Sequence, residues 1–134
     1  MADRVAFDTT FLIDLQRERR RNDVRGPAHR FLAAAPDREL CLSATALGEF
    51  AEGFSDPEDP LLRTIRAQHH LLLVDAPTAL AYGRIVRALR QEGRLIGTND
   101  LWIAAASLRY GLPLVTANEA QFRRVTGLDV VTYR

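Results

Sequence analysis

Three carboxylates and an amide, far apart along the chain, each stand where an apolar run ends or a helix begins. Asp8 follows Val5-Ala6-Phe7, and Glu49 lies in the small, apolar stretch that opens with Ser43-Ala44. Asp100 follows Gly97-Thr98-Asn99, and Asn118 closes Leu114-Val115-Thr116-Ala117. Oxygen donors of this kind suit a hard divalent ion such as Mg²⁺ or Mn²⁺. A hydrated cation in an acidic pocket in turn suits phosphodiester hydrolysis. Carboxylates within about 4–6 Å of one another raise each other's pKa, and a cation removes that conflict. A glutamate set among alanines, Leu47 and Phe50 is costly to bury unless it is neutralised or paired.

Each group also has a plainer use. Asp8 can cap the helix that follows it, and Glu49, like Glu52 one turn on, can be a surface charge. Asp100 suits the first turn of a helix dipole, with Thr98 or Asn99 as the cap. Asn118 can be a turn residue, or its carbonyl can bind a metal-held water that the Thr116 hydroxyl orients. Asp14 reads as a solvated helix residue, and Trp102 reads as core. The three histidines, His29, His69 and His70, show no metal-ligand spacing.

Positioning these groups takes a chain that alternates strands and helices. Apolar runs predict strands over 4–7, 39–42, 71–74, 114–116 and 130–132. Helical periodicity and capping signals predict helices from Thr9 or Thr10 to Gln16, from Pro27 to Ala35, from Ser43 to about Phe54, and from Asp56-Pro57 to His69 or His70. Further helices run from Pro77 to Gly93, from Asn99 to Tyr110 and from Glu119 to Val125. The charged segment 16–26 reads as an exposed helix end or loop. In the 77–93 helix, Ala81, Ile85, Ala88 and Leu89 share one face, opposite Arg84, Arg87, Arg90 and Arg94. The expected fold is α/β, a three-layer sandwich with a mostly parallel central sheet of four to five strands and about seven helices. Such sheets bind ligands beyond the carboxyl ends of their strands, where the strand order reverses. No linker or repeat interrupts residues 1–134, which read as a single domain.

Composition sets the bounds. The 134 residues are 47% hydrophobic and 26% charged, with a net charge of +1, ordinary for a globular protein. The one cysteine, Cys41, lies in an apolar run and reads as a buried thiol. With no secretory leader or membrane span visible, the expectation is a cytoplasmic protein. All 18 basic residues are arginine, so a surface for nucleic acid must be built from guanidinium groups. Arg84 and Arg87 on the amphipathic helix, and Arg20 in the cluster from Arg17 to Arg25, are the candidate nucleic-acid contacts; a plain solvated face is the other reading of the helix stripe, and contact with a partner protein the other reading of the cluster.

The segments Asp8-Thr9-Thr10, Ser43-Ala44 with Gly48-Glu49, Thr98-Asn99-Asp100-Leu101-Trp102-Ile103-Ala104-Ala105 and Thr116-Ala117-Asn118 resemble the PIN-domain family. Their order and spacing are most similar to the VapC-type toxins of bacterial toxin–antitoxin pairs. That resemblance implies a Mg²⁺- or Mn²⁺-dependent endoribonuclease, with Asp8, Glu49 and Asp100 around the metal and Asn118 in the fourth position. It also implies a homodimer, an RNA substrate, and a VapB-like antitoxin whose tail enters the acidic groove. Many relatives carry an aspartate in place of Asn118, and an acid where Gln121 precedes Phe122; Glu119 is the candidate substitute. These departures bear on a second metal ion more than on nuclease activity.

Two other readings stay open at the level of sequence. An aspartyl-phosphate protein also places an aspartate after its first strand, but the phosphatase form needs an acid where Thr10 stands, and the receiver form needs a lysine. A non-catalytic module of the same fold, binding RNA or protein through a weak or inactive metal site, is the second.

Overall fold

The computed structural model describes residues 3–134. Five strands, β1 (Arg4–Phe7), β2 (Glu39–Ser43), β3 (His70–Leu72), β4 (Leu114–Thr116) and β5 (Val130–Thr132), form one sheet in the order β3-β2-β1-β4-β5, with every neighbouring pair parallel. Parallel neighbours require crossovers. These are supplied by seven helices: α1 (Thr9–Arg20), α2 (Pro27–Ala34), α3 (Ala44–Ala51), α4 (Pro60–Gln68), α5 (Ala76–Gln91), α6 (Thr98–Tyr110) and α7 (Glu119–Phe122).

The central strand carries Val5, Ala6 and Phe7, all buried, as a strand covered on both faces requires. Ala6 pairs with Cys41 on one side and with Leu114 on the other. Phe7 stacks on Phe11 of α1 with ring centroids 4.2 Å apart, and Phe31 and Tyr133 meet these rings edge-on. Cys41 is a buried free thiol. The chain winds outward from β1 to β2 and β3, then returns to the other side of β1 for β4 and β5. The strand order therefore reverses between β1 and β4, and the Asp8 amide still donates to the Val115 carbonyl at 3.3 Å there.

Several element boundaries differ from those expected of the sequence, each for a local reason. α1 runs on to Arg20 because Glu18 is drawn inward: it is 7% exposed and accepts from the Ala28 and His29 amides and from the His29 ring at 2.7–3.0 Å. Glu18 thereby caps α2 from another helix, since the N-cap residue Gly26 has no side chain to do so. α4 begins at Pro60 rather than Asp56-Pro57, because Asp59 takes the cap and accepts from the Leu61 amide. β3 ends at Leu72, leaving Leu73 and Val74 61% and 51% exposed. Tyr110 donates to the Leu73 carbonyl at 2.7 Å, and the Asp75 carboxylate receives the Arg109 fork. Asp75 also caps α5, so one residue ends the strand segment, starts α5 and ties it to α6. α3 stops at Ala51 and α7 at Phe122, both short of the expected ends. Ala88 is exposed rather than inward. Asp14 is not a free solvated residue, because it accepts from Tyr133 Oη at 2.6 Å and pairs with Arg134 at 2.8 Å. Among the described residues, no helix is long and apolar enough to cross a membrane.

The Glu18 cap makes a testable demand on Gly26. A Cβ on Gly26 would fall 2.2 Å from Glu18 Cδ, so Gly26→Ala must push the carboxylate off the α2 amides. Leaving such donors unpaired costs about 1–3 kcal/mol. Burial acts to raise the Glu18 pKa, but the bonds from His29 and Ala28 outweigh it and hold the carboxyl below its usual range. This contribution is therefore present above the unfolded-state pKa and lost as pH falls through the folded one. Urea titrations should show a lower midpoint for Gly26→Ala at neutral pH and a smaller gap in acid. Equal midpoints at neutral pH would remove Glu18 as the cap.

Candidate functional site

Asp8 lies at the carboxyl end of β1 and is only 3% exposed. Its Oδ1 accepts from the Phe11 amide at 3.2 Å and from Thr10 Oγ1 at 2.7 Å, while Oδ2 accepts from Thr116 Oγ1 at 2.5 Å. It is therefore Asp8, and not Thr9 or Thr10, that caps α1. The plain use and the chemical one coexist in a single side chain. Burial pushes its pKa up, the bonds from Thr116, Thr10 and Phe11 pull it down, and the charge of Glu49 adds to the rise; the net shift is upward.

Glu49 reaches the same edge from α3. Ser43, the last residue of β2, starts that helix by accepting from the Ala46 amide at 3.1 Å, so Glu49 sits a turn and a half into it, half-buried. Thr9 Oγ1 donates to Glu49 Oε1 at 2.7 Å. Glu52 is exposed, at the end of α3.

Asp100 comes from the first turn of α6. Gly97 is the N-cap and supplies no side chain; Thr98 and Asn99, expected as caps, lie inside the helix and are exposed. Asp100 is half-buried and, among the described residues, its carboxylate accepts no hydrogen bond. Burial, then the charges of Glu49 and of Asp8, push its pKa up to about 6. The three acids are thus close enough to sense one another's charge, although they arrive from β1, α3 and α6.

Thr116 and Asn118 join through the backbone. The Asn118 amide donates to Thr116 Oγ1 at 2.8 Å, and that hydroxyl in turn donates to Asp8. The side-chain amide of Asn118 is turned to Gln121 Oε1 at 2.6 Å and makes no hydrogen bond to any of the three acids. Glu119 is held by Arg123 at 2.9 Å on the exposed face of α7. Arg20, Arg84 and Arg87 are all exposed, and none pairs with the acids. Trp102 is half-buried and stacks on Tyr82 of α5 with centroids 3.9 Å apart. Of the histidines, His29 serves Glu18, His69 is buried with Nδ1 2.9 Å from the Ile65 carbonyl, and His70 is exposed.

The sequence reading missed the part played by Thr9 and Thr10. One or the other is expected to cap α1, whereas their hydroxyls serve Glu49 and Asp8. The available signal was a pair of hydroxyl residues directly after a strand-terminal aspartate, which lets one helix turn serve two acids.

As a donor set, three carboxylates with one left unpaired suit a hard divalent cation. Among the described residues, no three of the His, Cys, Asp and Glu side chains close into a ligating group. Mg²⁺ does not require such a group, because it retains several waters and is commonly bound through only one or two direct carboxylates. Asp8, Asp100 and Glu49 are the residues that would hold it.

Comparison with known proteins bears on this geometry. The PIN domain model matches residues 5–128. Ribonuclease VapC1 of Haemophilus influenzae is 30% identical over 128 residues, covering 92% of each chain. The structure of VapBC-1 from nontypeable Haemophilus influenzae superposes with a TM-score of 0.79 at 27% identity, over 97% of this chain and 98% of that one. A toxin–antitoxin complex from Klebsiella pneumoniae gives a TM-score of 0.70 at 26% identity, over 97% and 98% of the two chains. Sequence and architecture agree along nearly the whole length, and the chain belongs to the PIN-domain family, among relatives named ribonuclease VapC.

Proposed function

We propose that this protein is an endoribonuclease dependent on Mg²⁺ or Mn²⁺, and the toxin of a VapBC-type toxin–antitoxin pair. One observation carries the metal-dependent part of that reading. Asp100 is a half-buried carboxylate without a hydrogen-bond donor, and burial, then the charges of Glu49 and Asp8, push its pKa up to about 6. A cluster that raises its own pKa in this way is a liability to the fold unless a cation is to be held there. The ribonuclease and toxin parts rest on the relatives named above.

When bound, the cation supplies Lewis acidity and neutralises charge at a scissile phosphodiester. The chain's own groups prepare that edge. Thr10, Thr116 and the Phe11 amide fix both oxygens of Asp8, so this carboxylate needs no reorientation. Asp100 is the one acid among the three without a donor, and a cation is the partner its charge calls for. The Asn118 amide steers Thr116; in this reading the Asn118 side chain takes the fourth position only by leaving Gln121. Arg84, Arg87 and Arg20 are the phosphate-backbone contacts, as exposed guanidinium groups on α5 and α1. The protein acts as a homodimer, and a VapB-like antitoxin closes the acidic groove.

Cleavage of structured RNA in the presence of Mg²⁺ or Mn²⁺ tests the enzymatic reading. Asp8→Asn and Asp100→Asn should each lower the rate by about 100-fold or more, the scale expected when a direct part of the site is lost. Variants that cut as fast as the parent would end the assignment. Expression of the parent should arrest growth, and co-expression of the partner encoded beside it should relieve the arrest. A co-encoded protein that fails to relieve it would separate the nuclease from the toxin role.

Asp100 also sets a pH dependence. Its pKa is about 6 when folded against a usual 3.8, so the folded state binds the proton more tightly. The contribution of Asp100 to stability without metal should therefore be lost as pH rises from about 4 to about 6. Asp100→Asn lacks this titration, so its melting temperature relative to the parent should rise across that window and level off above it. Added Mn²⁺ at neutral pH should raise the parent's melting temperature and leave that of Asp100→Asn nearly unchanged. A flat difference between parent and variant from pH 4 to pH 7 would show that Asp100 does not carry the raised pKa.

A further inference from the structure

We propose that Thr9 is a positioning residue for Glu49: its hydroxyl holds the Oε1 oxygen and leaves Oε2 to serve the cation. This deepens the metal-dependent reading above and rests on it.

The three acids are not supported alike. Asp8 is fixed by the two hydroxyls of Thr10 and Thr116 and by the Phe11 amide. Asp100 is launched from the first turn of α6, where two rotatable bonds and the helix backbone define its reach. Glu49 has the longest side chain of the three and comes from a helix that packs on α1. Left free, such a side chain samples many rotamers, and ordering it for a ligand has an entropic cost. The 2.7 Å bond from Thr9 removes most of that freedom in advance. It is charge-assisted, among the stronger kinds of hydrogen bond.

Thr9 is well placed for this. It is the first residue of α1, directly after Asp8, so its backbone is fixed by the same cap that fixes Asp8. Its β-branched side chain has few χ1 choices. The bond spans forty residues of sequence and joins the first residue of α1 to α3. Among the described residues, Glu49 Oε1 receives this donor and Oε2 receives none. Consecutive threonines thus divide the work, Thr10 serving the aspartate that precedes it and Thr9 the glutamate from across the edge. A residue that orients a metal-binding group in this way typically alters affinity by about 10–100-fold when it is removed.

The test uses the full chain and reads metal binding without RNA. Calorimetric or paramagnetic titration with Mn²⁺ would compare the parent, Thr9→Val, Thr9→Ala, Thr9→Ser, Glu49→Gln and the double variant Thr9→Val with Glu49→Gln. Thr9→Val and Thr9→Ala should each weaken Mn²⁺ binding by about 10-fold, and Thr9→Ser should bind as the parent does. In cleavage assays at limiting Mn²⁺, kcat should fall while KM for RNA holds. On the Glu49→Gln background, Thr9→Val should cost nothing more, because the group it positions is already lost. Thermal melts without metal confirm that the compared variants fold; should the valine not fit, alanine supplies the same loss of hydroxyl. Parent-like Mn²⁺ affinity in both hydroxyl-free variants, or a full additional loss in the double variant, would overturn the role of Thr9 while leaving the metal site standing. A parent that binds no Mn²⁺ would overturn the metal-dependent reading, and this role with it.

Discussion

The rest of the site depends on how one buried aspartate is tolerated at the seam between β1 and β4. Asp8 is nearly inaccessible and joined to the apolar centre of the sheet, and an unpaired carboxyl group there would be costly to bury. Three donors make it tolerable: the Phe11 amide, Thr10 and Thr116. Thr116 closes β4, 108 residues away along the chain. The bond between them ties the two strands at the point where the winding of the sheet reverses, the place at which parallel α/β folds gather ligand-binding groups.

The other acids are arranged around that anchor by different means. Ser43 ends β2 and starts α3 in one residue, which sets how far along the helix Glu49 falls. Gly97 starts α6 without a capping side chain, leaving Asp100 in the first turn with its carboxylate unoccupied by a cap bond. The result is electrostatically uneven. One acid is fully hydrogen-bonded, one is held by a single hydroxyl, and one has no donor and an elevated pKa. This gradation distinguishes the edge from a set of ordinary helix caps, in which each carboxylate is already satisfied.

The remainder of the fold supplies rigidity at a distance. The Glu18 cap on α2 and the Asp75–Arg109 fork each place a charged group where it satisfies backbone donors or a partner helix. Asp14 does the same for the last two residues, Tyr133 and Arg134. All three are carboxylates committed to structure. They show why acid content alone does not mark a functional site: Glu18 and Asp75, with their partners in place, hold helices together, whereas Asp100 is half-buried and has none.

Hydrophobic periodicity and punctuation by Gly, Pro and capping residues are local properties, and they are enough to indicate an α/β sandwich with a mostly parallel sheet of four to five strands and about seven helices, with Asp8 at a strand end and Asp100 in a first helical turn. Side-chain partnership is non-local, and it was out of reach. Nothing near Glu18 indicates that it caps α2, nothing near Asp14 indicates Tyr133, and the Gly97 cap was hidden behind two better-looking candidates. The same limit applies to the acids: sequence points to Asp8, Glu49 and Asp100 as a set that a parallel sheet could gather, each with a plainer local use beside it. Only the tertiary arrangement decided that Thr9 meets Glu49, that Thr116 meets Asp8 and which acid is left without a donor, because those two bonds span 40 and 108 residues and exist only once the sheet has brought its strand ends to one edge.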